Sequence, residues 1–147
     1  MFVTNSGTAV PIANTLDILG AGAVTTSGAT NVVTITVSGL TTWMTINSSQ
    51  TLAIDTGYIC NGGATLSLLL PPVSKLGDMI EITLDGSAGF TITQGAGQSI
   101  RIGNSSTTAG VGGSLSSTQQ GDTVRLVCQT ANLKWNCLSS MGNPTVV

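Results

Sequence analysis

Six carboxylates, Asp17, Asp55, Asp78, Glu81, Asp85 and Asp122, are the side chains here with the strongest claim to chemistry, because the chain has no histidine. Hydrolysis of a glycosidic bond needs two such groups facing each other across about 5 to 9 Å. Glu81 and Asp85 share one face of an extended segment but stand about 13 Å apart along it, too far for that work, and the Asp78 to Asp85 stretch reads as a solvated strand face and a turn. Gly112-Gly113-Ser114-Leu115-Ser116 lacks the second glycine of a nucleophile elbow. Gly20-Ala21-Gly22 and Gly95-Ala96-Gly97 carry Thr25 and Ile100 where a dinucleotide-binding loop has its third glycine. Cys60, Cys128 and Cys137 are odd in number, have no C-x-x-C spacing and lack histidine partners, so neither a metal nor a cofactor is expected. A turn at Gln129 to Asn132 sets Cys128 opposite Leu133 and Cys137 opposite Val124, about 13 Å apart along the hairpin. The three thiols are therefore expected to be reduced, buried and without a catalytic role, in a protein that is not an enzyme.

Recognition has more candidates than catalysis. The aromatic residues are Phe2, Trp43, Tyr58, Phe90 and Trp135. Trp135 runs in phase with Leu133 and Cys137, and Phe90 alternates with Ile92, which assigns both to a core. Trp43 and Tyr58 remain as exposed aromatics that either pack at a subunit contact or meet a receptor. The segment from Gly103 to Gly121 is the longest without a strand signal and reads either as a mobile surface loop or as a functional one. Within it Asn104, Ser105, Ser106, Thr107 and Thr108 offer hydroxyl and amide groups suited to a neutral glycan and form the candidate receptor contact.

The elements that must position these groups are strands. Val33, Ile35 and Val37 alternate with Thr34, Thr36 and Ser38, and Ile80, Ile82 and Leu84 alternate with Glu81 and Thr83. Further strand signals cover Trp43 to Asn47, Gln50 to Cys60, Ala64 to Leu70, Phe90 to Gln94, Ser99 to Ile102, Thr123 to Cys128 and Leu133 to Ser139. Asn61-Gly62-Gly63, Pro71-Pro72, Asp85-Gly86-Ser87, Gly95-Ala96-Gly97 and Gln129 to Asn132 separate them with residues that tolerate positive φ or fix it. An all-β fold follows: an antiparallel β-sandwich or jelly-roll-like domain over residues 41–147, preceded by a short glycine-punctuated β segment over residues 1–40. In that segment Gly20, Gly22, Gly28 and Gly39 leave little to pack within one chain. Its Leu16, Ile18, Val33, Ile35 and Val37 either wind together with neighbouring protomers or add edge strands to their own domain. A simple up-and-down strand order from Gln50 onward would bring Asn61-Gly62-Gly63, Asp85-Gly86-Ser87 and the long loop to one pole.

Charge sets the choice of partner. Only 7% of the 147 residues are Asp, Glu, Lys or Arg, against about 25% in ordinary domains. Few charges must be desolvated when such a surface meets a copy of itself or a neutral partner, so self-association is expected. A net charge of −2 with no basic cluster argues against nucleic acid. Polar and turn residues interrupt the uncharged stretch from Ile18 to Ile54, which argues against membrane insertion, and Met1 to Val10 shows no Sec-type signal.

Three groups of residues carry a likeness to a known family. Asn14-Thr15-Leu16-Asp17-Ile18-Leu19-Gly20-Ala21-Gly22 leads through Val24-Thr25-Thr26-Ser27-Gly28 to the strand Asn31 to Val37. Gln50-Thr51-Leu52-Ala53 leads into Gly57-Tyr58-Ile59, Leu68 to Pro71 and Gly77-Asp78-Met79-Ile80. Gln94, Gly97-Gln98, Ile100 and Gly103 join Gly112 to Ser117, Asp122-Thr123-Val124 and Leu138-Ser139-Ser140. Together they resemble the C-terminal β-module of bacteriophage tail fibres and related bacterial surface fibres. The resemblance implies a homotrimer with intertwined N-terminal strands, located in a virion or on an extracellular or cell-surface particle. Its implied role is that of a fibre tip, a structural protein for attachment to a receptor or glycan. A self-assembling shell or filament subunit without receptor binding is the alternative, and a polysaccharide depolymerase a further one.

Overall fold

The computed structural model describes Phe2–Thr4, Gly7–Ala9, Val24–Ala29, Val32–Val37 and residues 42–147. The chain divides into two compact units, Met1–Val37 and Ser38–Val147. In the first, β1 (Phe2–Thr4) pairs antiparallel with β2 (Gly7–Ala9), and β3 (Val24–Ala29) with β4 (Val32–Val37), Val33 opposite Gly28 and Ile35 opposite Thr26. β3 runs through Thr25 to Gly28, residues read from sequence as interruptions. The Asn14 to Gly22 run, with Leu16, Asp17 and Ile18, lies outside the described residues, as does Gly39.

The second unit is all-β, with no helix among the described residues. It opens with β5 (Thr42–Ile46), β6 (Gln50–Thr51), β7 (Thr56–Cys60), β8 (Leu66–Leu69), β9 (Met79–Leu84) and β10 (Phe90–Thr93). These six alternate between two sheets, so that β5, β7 and β9 become parallel neighbours in one and β6, β8 and β10 in the other. A parallel pair needs a crossover, and here the crossover is a strand of the opposite sheet. Antiparallel pairing was expected, in a sandwich or jelly-roll-like domain. It gives way to this alternation, as does the simple up-and-down order considered for the loops, because Pro71-Pro72 and the glycine turns carry the chain across to the other sheet where a hairpin would keep it in the same one.

Antiparallel pairing enters with the remaining strands: β11 (Ser99–Ile102), β12 (Ser105–Ser106), β13 (Ser114–Ser117), β14 (Thr123–Thr130), β15 (Lys134–Met141) and β16 (Thr145–Val146). The larger sheet has the order β12-β11-β15-β14-β9-β7-β5 and the smaller β16-β13-β10-β8-β6. Inward-facing residues of both sheets make one hydrophobic cluster, in which Leu68, Ile80, Ile82, Phe90, Ile92, Ile100, Leu115, Leu126 and Trp135 are all buried. The strict alternation of burial along β9 and along β14 from Thr123 to Cys128 is the period of two that their sequences display.

Candidate functional site

Gln94 and Gln98 organise the segment that carries most of the candidate contacts. Both are buried. Gln94 Nε2 donates to the carbonyls of Gln98 at 2.7 Å, Thr108 at 3.0 Å and Gly110 at 3.1 Å. Gln98 Nε2 donates to Pro71 O at 2.8 Å, and its Oε1 accepts from Gly95 N at 2.8 Å. Thr107 Oγ1 donates to Gln94 Oε1 and accepts from Ile100 N at 2.8 Å. Gly113 completes the cluster: a Cβ there would collide with Thr108 O. Thr108 N in turn donates to Val147 O at 2.9 Å.

The segment from Gly103 to Gly121 is thus neither strandless nor loosely held. It contains β12 and β13, with Leu115 fully buried on β13. Its serines alternate with one apolar residue, a pattern too short and too polar to register as a strand in sequence. Thr107 is buried and spends its hydroxyl on the Gln94 network, so it cannot face a receptor, whereas Asn104, Ser105, Ser106 and Thr108 are exposed. The proposed gathering of turns is realised in part. Gly86 lies against Gly62 and Asn61, and Gln120 Nε2 donates to Asp85 O at 2.6 Å, which brings the end of the segment to those turns. Ser105 and Ser106 are elsewhere: Ser106 pairs with Arg101, which lies opposite Asn136 in the row of Met79, at the start of β9.

The two candidate aromatics part company. Tyr58 is buried, its hydroxyl accepting from Ala53 N at 2.6 Å, because its position on β7 falls in phase with Cys60 and the core. Trp43 is 49% exposed on β5, opposite Gly57, whose missing side chain leaves the space its indole occupies. Phe90 and Trp135 are core residues as expected.

Four of the five described carboxylates, Asp55, Asp78, Glu81 and Asp122, hold the backbone, a hydroxyl or a cation. Asp55 Oδ1 accepts from Met79 N at 3.1 Å, and Asp78 Oδ2 from Lys75 N at 2.6 Å. Asp122 Oδ2 accepts from Ser117 Oγ and from Gln119 N, the latter at 3.2 Å. Glu81 Oε2 sits 3.4 Å from Arg125 Nε, near enough for ion pairing but off line for a hydrogen bond. No group of three or more His, Cys, Asp or Glu able to hold a metal occurs among the described residues.

The three cysteines are free thiols, Cys60 and Cys128 buried and Cys137 only half-buried, a departure from the expected full burial. Burial pushes the Cys60 thiol up from 9.0 to about 11 and raises that of Cys137 as well. Bulges between Arg125 and Leu126 and between Cys128 and Thr130 shift the hairpin, so that Cys128 faces Trp135 and Cys137 faces Leu126, rather than Leu133 and Val124. Two residues of stagger remain, an offset of about 7 Å along the strands.

A pocket opens on the larger sheet where β11, β12 and β15 meet, with a volume of about 320 Å³ and a lining of Ser99, Arg101, Ser106, Gln129, Lys134 and Trp135. Ser99 pairs with Lys134 and Arg101 with Ser106. Of these residues only Ser106 was a candidate contact from sequence, since Arg101 and Lys134 lie 33 positions apart and only the β11–β15 pairing makes them neighbours. Comparison with protein-family models and with curated proteins gives no match, so the fibre resemblance rests on its sequence motifs alone.

Proposed function

We propose that this chain is a non-enzymatic β-structural protein that assembles as a homotrimer, on the pattern of a phage tail-fibre tip, and serves attachment to a cell-surface receptor or glycan. It would belong to a virion or another extracellular particle. In this reading the two mixed sheets of the second unit pack as a sandwich, and the short N-terminal strands intertwine between protomers.

The observation that carries the proposal is β5. Of the four sheet edges in the second unit, β6, β12 and β16 are strands of only two residues, while β5 has five. Its sequence Thr-Trp-Met-Thr-Ile has no charge and no proline, and its first four residues are exposed, Trp43 at 49% and Met44 at 43%, with only Ile46 buried in the core. An uncharged edge of that length is a pairing surface unless something covers it, whereas two-residue edges are blunted. Within the second unit one adhesive edge and three blunted ones disfavour an open filament, which needs a complementary edge at each end; β5 alone would join two copies, so a trimer needs the N-terminal strands as its second contact. The number three comes from the resemblance. The depolymerase reading draws no support from the four carboxylates occupied as described above.

Light scattering during gel filtration tests the proposal. The chain is expected to elute as a discrete oligomer, and Trp43→Lys with Met44→Lys is expected to dissociate it while its strand circular dichroism persists. A folded monomer at micromolar concentration would sink it. Trimers that fail to bind any intact cell would leave the shell reading in its place.

A further inference from the structure

From the β11–β15 pocket we infer a second binding site, one for an acidic sugar: a glycan residue whose carboxylate is held by Arg101 and Lys134 while Ser99, Ser106 and Gln129 meet its hydroxyls. The inference deepens the attachment reading and rests on it for its biological setting.

The chain has only four cations, Lys75, Arg101, Arg125 and Lys134. Arg125 is paired with Glu81. Two of the other three line this one pocket, and its lining contains no carboxylate. Neither Arg101 nor Lys134 has an ion-pair partner among the described residues, whose only salt bridge is that of Arg125. In a protein of net charge −2, such a convergence makes a local positive site that no described carboxylate neutralises, one suited to an external anion. Arg101 is also held in place. Its Nε donates to Gly103 O at 3.2 Å, across the turn between β11 and β12 that Gly103 makes at φ +55. With Nε spent, the two terminal nitrogens remain free, a fork that matches the two oxygens of a carboxylate.

The remaining lining narrows the ligand. A free inorganic anion would use the two cations and leave two hydroxyls and an amide without a task, whereas a uronic-acid type of sugar engages both sets. A volume of about 320 Å³ lies near the lower end for small-molecule pockets, roughly 300 to 1,000 Å³, and suits a single sugar ring with its neighbour projecting into solvent. The strand pairing fixes the backbone positions that carry the donors, and the Arg101 contact with Gly103 O reduces the ordering needed on binding.

The experiment is a titration of the purified full chain, followed by NMR shifts or calorimetry, with three probes: a short oligogalacturonate, its methyl-esterified form, and inorganic phosphate. The oligogalacturonate should bind, the ester should bind at least tenfold more weakly, and phosphate should not compete at equal concentration. Arg101→Gln and Lys134→Gln should each weaken oligogalacturonate binding about tenfold, the loss expected for one charge-assisted contact. Lys75→Gln, which removes a cation that does not line the pocket, should change it less than twofold. An equal loss in Lys75→Gln would show diffuse attraction and overturn the site, as would tight binding of the ester or stronger binding of phosphate. The variants' melting temperatures exclude misfolding as the cause. Failure of oligogalacturonate to bind rejects the pocket and leaves the attachment reading standing, because that reading is judged separately by oligomeric state and cell binding.

Discussion

Thr107 and its neighbours separate side chains that could meet a partner from those that hold the fold. Thr107→Val keeps the shape but leaves Ile100 N and Gln94 Oε1 without their partner, and a loss of roughly 1 to 3 kcal/mol is expected. Ser105→Ala, at an exposed site, should fall within about 0.5 kcal/mol of the parent. Urea denaturation of the two variants checks the contrast, and equal stabilities would mean that the Gln94 network contributes nothing. Cys60 makes a prediction in pH. Its folded thiol has the higher pKa, so the folded state holds its proton where the unfolded chain has lost it, between 9.0 and about 11. The contribution of Cys60 to stability should therefore be fully present below pH 9 and be lost as pH rises through that window, by at most about 3 kcal/mol. Cys137 shifts in the same direction. Denaturation midpoints measured across the range should decline less steeply in Cys60→Ala, and an identical decline would reject the assignment.

Connections between elements depend on a few residues with unusual backbone. Asn132 has φ 63, its Oδ1 accepts from Ser74 N at 2.7 Å and its N donates to Ser74 Oγ at 3.0 Å. This reciprocal pair ties the β14–β15 turn to the segment between β8 and β9. Asn132→Gly keeps the left-handed conformation and loses the side-chain acceptor, with an expected cost of about 1 kcal/mol, whereas Asn132→Ala adds backbone strain and should cost about 2 to 3 kcal/mol. Thermal denaturation that ranks Ala at or above Gly would show that the turn relaxes. At the β5 edge, Gly57 is equally specific. Any side chain there would displace the Trp43 indole, so Gly57→Val should weaken oligomer formation if Trp43 lies in the contact. Unchanged dissociation on dilution would place the interface elsewhere.

For the whole molecule, the question is which part holds copies together. Residues 42–147 contain a hydrophobic cluster of their own, so a chain lacking residues 1 to 40 should still fold with native-like denaturant cooperativity. If the N-terminal strands intertwine between protomers, that truncation should dissociate at higher protein concentration than the full chain, while retaining the association that β5 provides. Sedimentation at several concentrations would reveal this, and full oligomeric strength in the truncated protein would remove the intertwined segment from the assembly.

Strand positions were legible where apolar and polar residues alternate over four or more positions, as in β9, β10, β11 and β14, because the period of two is a property of the chain itself and fixes which side chains can share a face. The core placement of Phe90 and Trp135 followed from the same phase. Sequence also set the sparse charge and the glycine and proline turns. Which strand lies beside which was decided by tertiary structure, since pairing is a relation between distant segments and the alternation between two sheets leaves no local mark. Tyr58 went inward because of its phase on β7, and β12 and β13 became strands because β11 and β10 supply hydrogen-bonding edges that their own sequences do not announce. Arg101 and Lys134 met for the same reason: parallel pairing of β11 with β15 overrides their separation along the chain, and a site made by pairing has no motif to read.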